Sequence, residues 1–101
     1  MQCATVVYPN QPGAKFDFDY YLKKHVPAVA EFFGTSIDVQ KGTLSPMGPS
    51  LAFICIARIW INSLEHFQTT MEQHGSWILG DVANYTNIQP IVQIDEVVRS
   101  R

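Results

Sequence analysis

The sequence is short of charge. Asp, Glu, Lys and Arg make up 16% of its 101 residues, against about 25% in a typical soluble domain. Its seven basic residues are scattered: Lys23-Lys24 is the only basic pair inside the chain, and Arg99 and Arg101 close it. A nucleic-acid binder would show a basic stripe with interleaved aromatics, so that class is disfavoured. Cysteine is scarce as well. Cys3 and Cys55 are too few for a disulfide framework, and both lie in apolar runs, where a thiol is a small buried hydrophobe rather than a redox group. No long apolar run occurs that could span a membrane. The opening "MQCATVVYPNQPG" lacks the basic region and apolar length of a signal peptide. The expectation is a cytoplasmic protein with reduced thiols. Also missing are Cys-x-x-Cys, His-x-His and Asp-rich metal loops, Gly-x-Ser-x-Gly and Gly-rich phosphate loops. Their absence disfavours a dedicated metal site, triad hydrolysis and nucleotide chemistry.

What is present is apolar: 47% of the residues, with a formal net charge of only -2. One domain over residues 1–101 is expected. So few charges on so small a chain suggest a second apolar face, covered in an oligomer.

The pattern alternates strands and helices. "CATVVYP" (Cys3 to Pro9) is a β-branched strand, and "NQPG" punctuates it. Asp17 is placed to cap a helix that runs to Phe33 and stops at Gly34. Its apolar stripe is Tyr21, His25, Ala28, Val29, Phe32 and Phe33. Pro27 removes one backbone donor and should bend or loosen the helix near Lys23. "SIDVQKGTLS" (Ser36 to Ser45) alternates like an edge strand. "LAFICIARIWI" (Leu51 to Ile61) is nearly continuous and reads as a central strand buried on both faces, with Arg58 its only charge. Such an arginine needs a carboxylate or carbonyl partner. Ser63 caps a second helix whose stripe is Leu64, Phe67, Met71, His74 and Ile78, and Gly75 and Gly80 loosen its end. "IQPIVQIDEVV" (Ile88 to Val98) is the last strand. The order β-α-β-β-α-β predicts a ferredoxin-like α+β fold, four antiparallel strands with two helices on one face. The uncovered sheet face and the greasy third strand predict a homodimer paired sheet to sheet.

Two histidines, His25 and His74, share the sheet-facing stripes. His25 lies about 12 Å into the first helix and His74 about 16 Å into the second, antiparallel helix of roughly 25 Å. Those heights nearly coincide, so the imidazoles could converge between helices and sheet. Two readings stand side by side: core histidines satisfied by backbone or neighbours, or a general acid/base pair beside Tyr21. Trp60 or Arg58 approaches from the sheet, if its face allows. The aromatics Tyr20, Tyr21, Phe32, Phe33, Phe53, Trp60, Phe67, Trp77 and Tyr85 form a set that is usually core, but with inward histidines it also suits a small planar ligand.

Three stretches, "VVYPNQPGAKFDFDYYLKKHVPAV", "SLEHFQTTMEQHG" and "NYTNIQPIVQIDEV", resemble the EthD family across nearly the whole chain. The most specific elements are "DYYLKKHVP" and "YTNIQPIVQIDEV". The family is named for a gene cluster of ethyl tert-butyl ether degradation and belongs to the dimeric α+β barrel superfamily. The resemblance implies a ferredoxin-like protomer pairing as a homodimer, with a pocket between helices and sheet. Relatives in the superfamily include muconolactone isomerases, cofactor-independent monooxygenases and haem-degrading monooxygenases. The matched positions are Tyr21, His25 and His74, with Asn87 belonging to the pattern without a chemical role. The expected function is binding, and cofactor-free transformation, of a small hydrophobic or oxygenated intermediate of catabolism or secondary metabolism. In it His25 moves a proton, Tyr21 donates a hydrogen bond, and Arg58, Trp60, Phe67 and Asn87 are candidate ligand contacts. The alternative is a non-catalytic ligand-binding accessory protein. Haem binding through His74 has superfamily precedent, but the EthD-type motifs argue against it.

Overall fold

Strand β1 (Gln2–Pro9) pairs antiparallel with β3 (Phe53–Ile61) on one side and β4 (Ile91–Glu96) on the other. β2 (Ile37–Lys41) pairs antiparallel with β3. The four-stranded order is therefore β2-β3-β1-β4 in this computed structural model, which describes residues 1–99. Arg101, one of the scattered basic residues, lies outside the described residues, as does the end of the domain read over 1–101. Both helical layers lie on one face, so the chain is an α+β ferredoxin-like unit.

Alternation along β3 decides what each face is made of. Cys55, Ala57, Ile59 and Ile61 are buried; Ile59 and Ile61 pack with Ala4, Val29 and Phe33, and Cys55 with Tyr8 and Tyr21, beneath the helices. Ile54, Ile56, Arg58 and Trp60 point the other way and are half-buried. The expectation of burial on both faces therefore holds for one face of the single chain, because no helix lies over the other. On that open face Arg58 Nη1 donates to Gln40 Oε1 at 2.6 Å, and Trp60 Nε1 donates to Asp38 Oδ2 at 3.1 Å. Arg58 thus has the carbonyl partner its apolar strand demanded.

The first helical run begins where Asp17 accepts from the Tyr20 N–H at 3.0 Å. It passes through α1 (Phe18–Tyr20), a π-helical segment (Tyr21–His25) and α2 (Val26–Phe33). Gly34, at φ 65, ends it with its N–H on the Ala30 and Glu31 carbonyls. The wide turn is the response to Pro27. Proline cannot donate to the carbonyl four residues back, and the neighbouring Val26 N–H reaches instead to Tyr21 O, five residues back. Helix α3 (Leu64–Gly80) is capped by Ser63, whose hydroxyl accepts from the His66 N–H at 3.0 Å. Gly75 does not loosen it: it is buried inside the helix, and a 3₁₀ turn (Asp81–Asn84) follows directly.

Three strand limits are shorter than the apolar runs suggested. β2 stops at Lys41 rather than Ser45. Gly42 still lies against the start of β3, its N–H on Ile54 O, and a Cβ there would lie 2.5 Å from Phe53 O. β3 starts at Phe53, two residues after Leu51. β4 starts only at Ile91, because Pro90 has no N–H for the ladder. Ile88 is instead a core residue of the preceding turn, 2% exposed.

Candidate functional site

The wide turn sets Tyr21 and His25 on the inward face, and Val29 and Phe33 continue that face at steps of four. All four are buried. The His25 ring lies between Tyr21 and Trp77, near-parallel to both, with centroid separations of 5.5 and 5.8 Å. Its Nδ1 sits 2.9 Å from Asp81 Oδ2. Asp81 comes from the 3₁₀ turn and is itself buried, with Tyr20 and Asn84 donating to its other oxygen at 2.7 and 2.9 Å. On the opposite edge of the imidazole, Nε2 lies 3.5 Å from the Tyr85 hydroxyl, which is 2.7 Å from the Tyr8 hydroxyl. The polar chain is therefore Asp81, His25, Tyr85, Tyr8, and Tyr21 packs against the last three.

Electrostatics follow from burial. Burial lowers the His25 pKa from its ordinary 6.5, more than the neighbouring Asp81 carboxylate raises it, so the ring is neutral at pH 7. Burial would raise Asp81, but hydrogen bonds from Asn84, Tyr20 and His25 outweigh it and hold the carboxyl below its usual range. Burial pushes Tyr8, Tyr21 and Tyr85 well above the ordinary phenol value, so all three remain O–H groups. The Cys55 thiol beside them is pushed up to about 12, first by burial, which makes it a poor nucleophile.

Tyr8, Tyr21, His25 and Tyr85 line an apolar cavity of about 80 Å³ between helices and sheet. Val6, Val29, Phe33, Ala57 and Ile59 form its walls. Leu79 and Val92 border it on the side between α3 and β4, where they are 62% and 50% exposed. None of the lining residues is Lys, Arg, Asp or Glu. For scale, an engineered apolar cavity of about 150 Å³ takes up benzene.

The expected site residues part company here. His25, Tyr21 and Phe67 line the cavity. His74 does not reach it: its ring lies flat on Phe32, centroids 4.1 Å apart and 3° between planes. Phe32 and Trp77 separate the two imidazoles. Arg58 and Trp60 occupy the open sheet face, away from this cavity. Asn87 is exposed and structural in its contacts, accepting from the Lys15 N–H and donating to Gly13 O. With Thr86 on Lys15 O and the Asp17 N–H on Tyr85 O, it ties the segment before α1 to the turn that carries Tyr85. His74 is not at the wall of this cavity. Among the described residues no three His, Cys, Asp or Glu side chains gather as a metal site. No helix among them is long and apolar enough to cross a membrane.

Asp81, Tyr85 and Tyr8 were not singled out as site residues in the sequence. "GDVANYTN" shows no helical stripe through Asp81, and its partner lies 56 residues away. The one available signal was an acidic residue just past a helix end that glycine terminates.

An α+β ferredoxin-like chain with a phenol- and imidazole-lined cavity between its layers is the class this geometry defines. The model of the EthD domain matches residues 13–89, and the chain belongs to the EthD family. It is similar to the crystal structure of an EthD-like protein from Ralstonia eutropha JMP134, with 40% identity and a TM-score of 0.85 over 99% of this chain and 94% of that one. An ethyl tert-butyl ether d (EthD) family protein from Bacillus halodurans C-125 shares 22% identity and a TM-score of 0.75, over 97% and 99%. HapK from Hahella chejuensis shares 13% identity and a TM-score of 0.56, over 97% and 96%. These last two show likeness of fold alone. No curated protein matches the chain.

Proposed function

We propose that this protein binds a small, neutral, largely apolar organic molecule with an oxygen function in the cavity, and transforms it without a cofactor. His25 is the general base and acid, and Tyr21 is a hydrogen-bond donor. The observation that carries this reading is a carboxylate-backed imidazole in the wall of an apolar cavity. A histidine there costs a buried polar network, which a purely structural core would fill with an aliphatic side chain. The absence of charged lining residues sets the ligand class, since an anion would be desolvated without a cation to meet it.

The test is ligand-observed NMR with small ketones, ethers and phenols, followed by product analysis, on wild type and His25→Ala. Binding with a chemical change that the variant loses is the expected result. A ligand that raises the melting temperature but returns unchanged makes the protein a binding module. Identical behaviour of the two proteins removes His25 from the mechanism.

The proposal extends to assembly in the cytoplasm as a homodimer through the open sheet face. Its half-buried Val7 and Ile56 and its 56%-exposed Ile91 support that reading. Ile56→Arg should then sediment as a monomer where wild type sediments as a dimer. A wild-type monomer at micromolar concentration would sink this part.

A further inference from the structure

Asp81 is acceptor-only when ionised, so the 2.9 Å contact with His25 Nδ1 requires the proton to sit on Nδ1. A neutral ring then has a bare lone pair on Nε2. The group facing that lone pair is the Tyr85 hydroxyl, which must donate to it and so accepts in turn from Tyr8. Every hydrogen of the chain thus points the same way: Tyr8 to Tyr85, Tyr85 to His25, His25 to Asp81. The 3.5 Å contact is long, as hydrogen bonds at unliganded sites commonly are. Around His25 the facing groups are Tyr21 from its own helical run, Trp77 from α3, Asp81 from the 3₁₀ turn and Tyr85 after it. No second carboxylate or cation is among them. Asp81 also borders a shallow surface cleft with Ser76, Trp77, Gly80 and Asn84, so the carboxylate has an aqueous side while the cavity side is apolar.

We propose that Asp81 is the positioning residue of this site: it fixes His25 as the Nδ1–H tautomer, and through Tyr85 and Tyr8 turns this part of the cavity wall into a proton acceptor for neutral ligands. The inference rests on the reading of His25 as a general base. Proton transfer runs from a C–H or O–H of the ligand to Tyr8 oxygen, from Tyr8 to Tyr85, and from Tyr85 to His25 Nε2. It leaves a ligand anion and an imidazolium ion held by Asp81, with no electron gained or lost. A carboxylate has already given up its acidic proton, its remaining C–H protons are far less acidic than those beside a ketone, and its charge would be desolvated where no cation lines the cavity. The substrate class is therefore a neutral carbonyl or hydroxyl compound, not its carboxylate isostere.

Histidine ¹⁵N chemical shifts and one-bond couplings on the free protein at pH 7 test the tautomer without any ligand. Wild type should show His25 protonated at Nδ1. Asp81→Asn should lose that preference, and Asp81→Glu should restore it at least in part. An Nε2–H tautomer in wild type, or no change in Asp81→Asn with the fold intact by backbone spectra, overturns the assignment. The ligand class is tested with butan-2-one against propanoate, two probes of one shape that differ in charge. Saturation transfer should detect butan-2-one and give at least about tenfold weaker binding for propanoate at pH 7; equal or tighter binding of propanoate overturns the selectivity. If neither probe binds but the tautomer behaves as expected, the functional reading of the cavity fails and the role of Asp81 stands.

Discussion

His25 and His74 begin as twins: one residue type, the inward stripe of a helix, and similar height by helical rise. They end in different environments. His25 is 6% exposed and has a hydrogen-bonding group at each ring nitrogen. His74 is half-buried and contributes a flat stack on Phe32. Spacing tells which face of a helix a side chain occupies, while its neighbour is decided by irregular backbone. The π turn, with its reach of five residues, shifts the phase of α2. Its inward face becomes Val29 and Phe33, leaving Phe32 at the side where α3 brings His74. The 3₁₀ turn then supplies Asp81 to one histidine and nothing to the other.

The largest consequence is in stability. His25→Ala leaves the buried Asp81 carboxylate without one of its donors and opens a void between Tyr21 and Trp77. Hydrogen bonds to charged groups are worth about 1.5–3 kcal/mol, so a loss of about 2–3 kcal/mol is expected in urea denaturation. A loss under about 1 kcal/mol would mean that His25 is no better integrated than its counterpart, and the contrast would collapse.

Acid should separate the two residues next. The folded protein holds His25 below its ordinary value of 6.5, so the unfolded chain takes up that proton first. Stability linked to His25 is therefore complete above about pH 6.5 and is lost as pH falls through the folded value. Asp81 is also lowered, from 3.8, so its contribution disappears at still lower pH. Denaturation curves from pH 8 to 3 should show an earlier decline that His25→Gln removes and a later one that Asp81→Asn removes. An earlier decline that survives in His25→Gln would assign it elsewhere.

Much of this architecture was legible in the residues. Asp17, Gly34 and Ser63 mark helix limits through local chemistry, and the β-α-β-β-α-β order follows from periodicity. Pro27 announced a disturbed turn near Lys23, which is where the π segment lies. The site was legible only by half. Tyr21 and His25 stand on a stripe, but Tyr8 reaches them from β1, and Asp81 and Tyr85 from the 3₁₀ turn after α3 and its end, without any pattern. Arg58 and Trp60 could be placed only by register: pairing of Thr5 with Arg58 and of Cys3 with Trp60 puts them opposite the helices. Ile88 misled because an apolar residue beside a strand reads as more strand, although Pro90 bars the ladder and sends Ile88 into the core.

The smallest expected effect is at His74 itself. Its ring is held by near-parallel stacking on Phe32, an interaction worth about 0.5–1.5 kcal/mol beyond area burial in aromatic pairs. At a half-buried position the lower part of that range applies, so His74→Ala should cost about 0.5–1 kcal/mol. The His25 tautomer should stay as in wild type, because the ring touches neither Asp81 nor the cavity. The Phe32 ring also meets Trp77 edge-on, 5.5 Å away, and Trp77 in turn stacks on His25. That relay is a path by which His74 could influence the site. A changed His25 ¹⁵N spectrum in His74→Ala would show that the aromatic relay carries the coupling and that the two histidines act as a pair after all. An unchanged spectrum with a small loss of stability would leave His74 as packing.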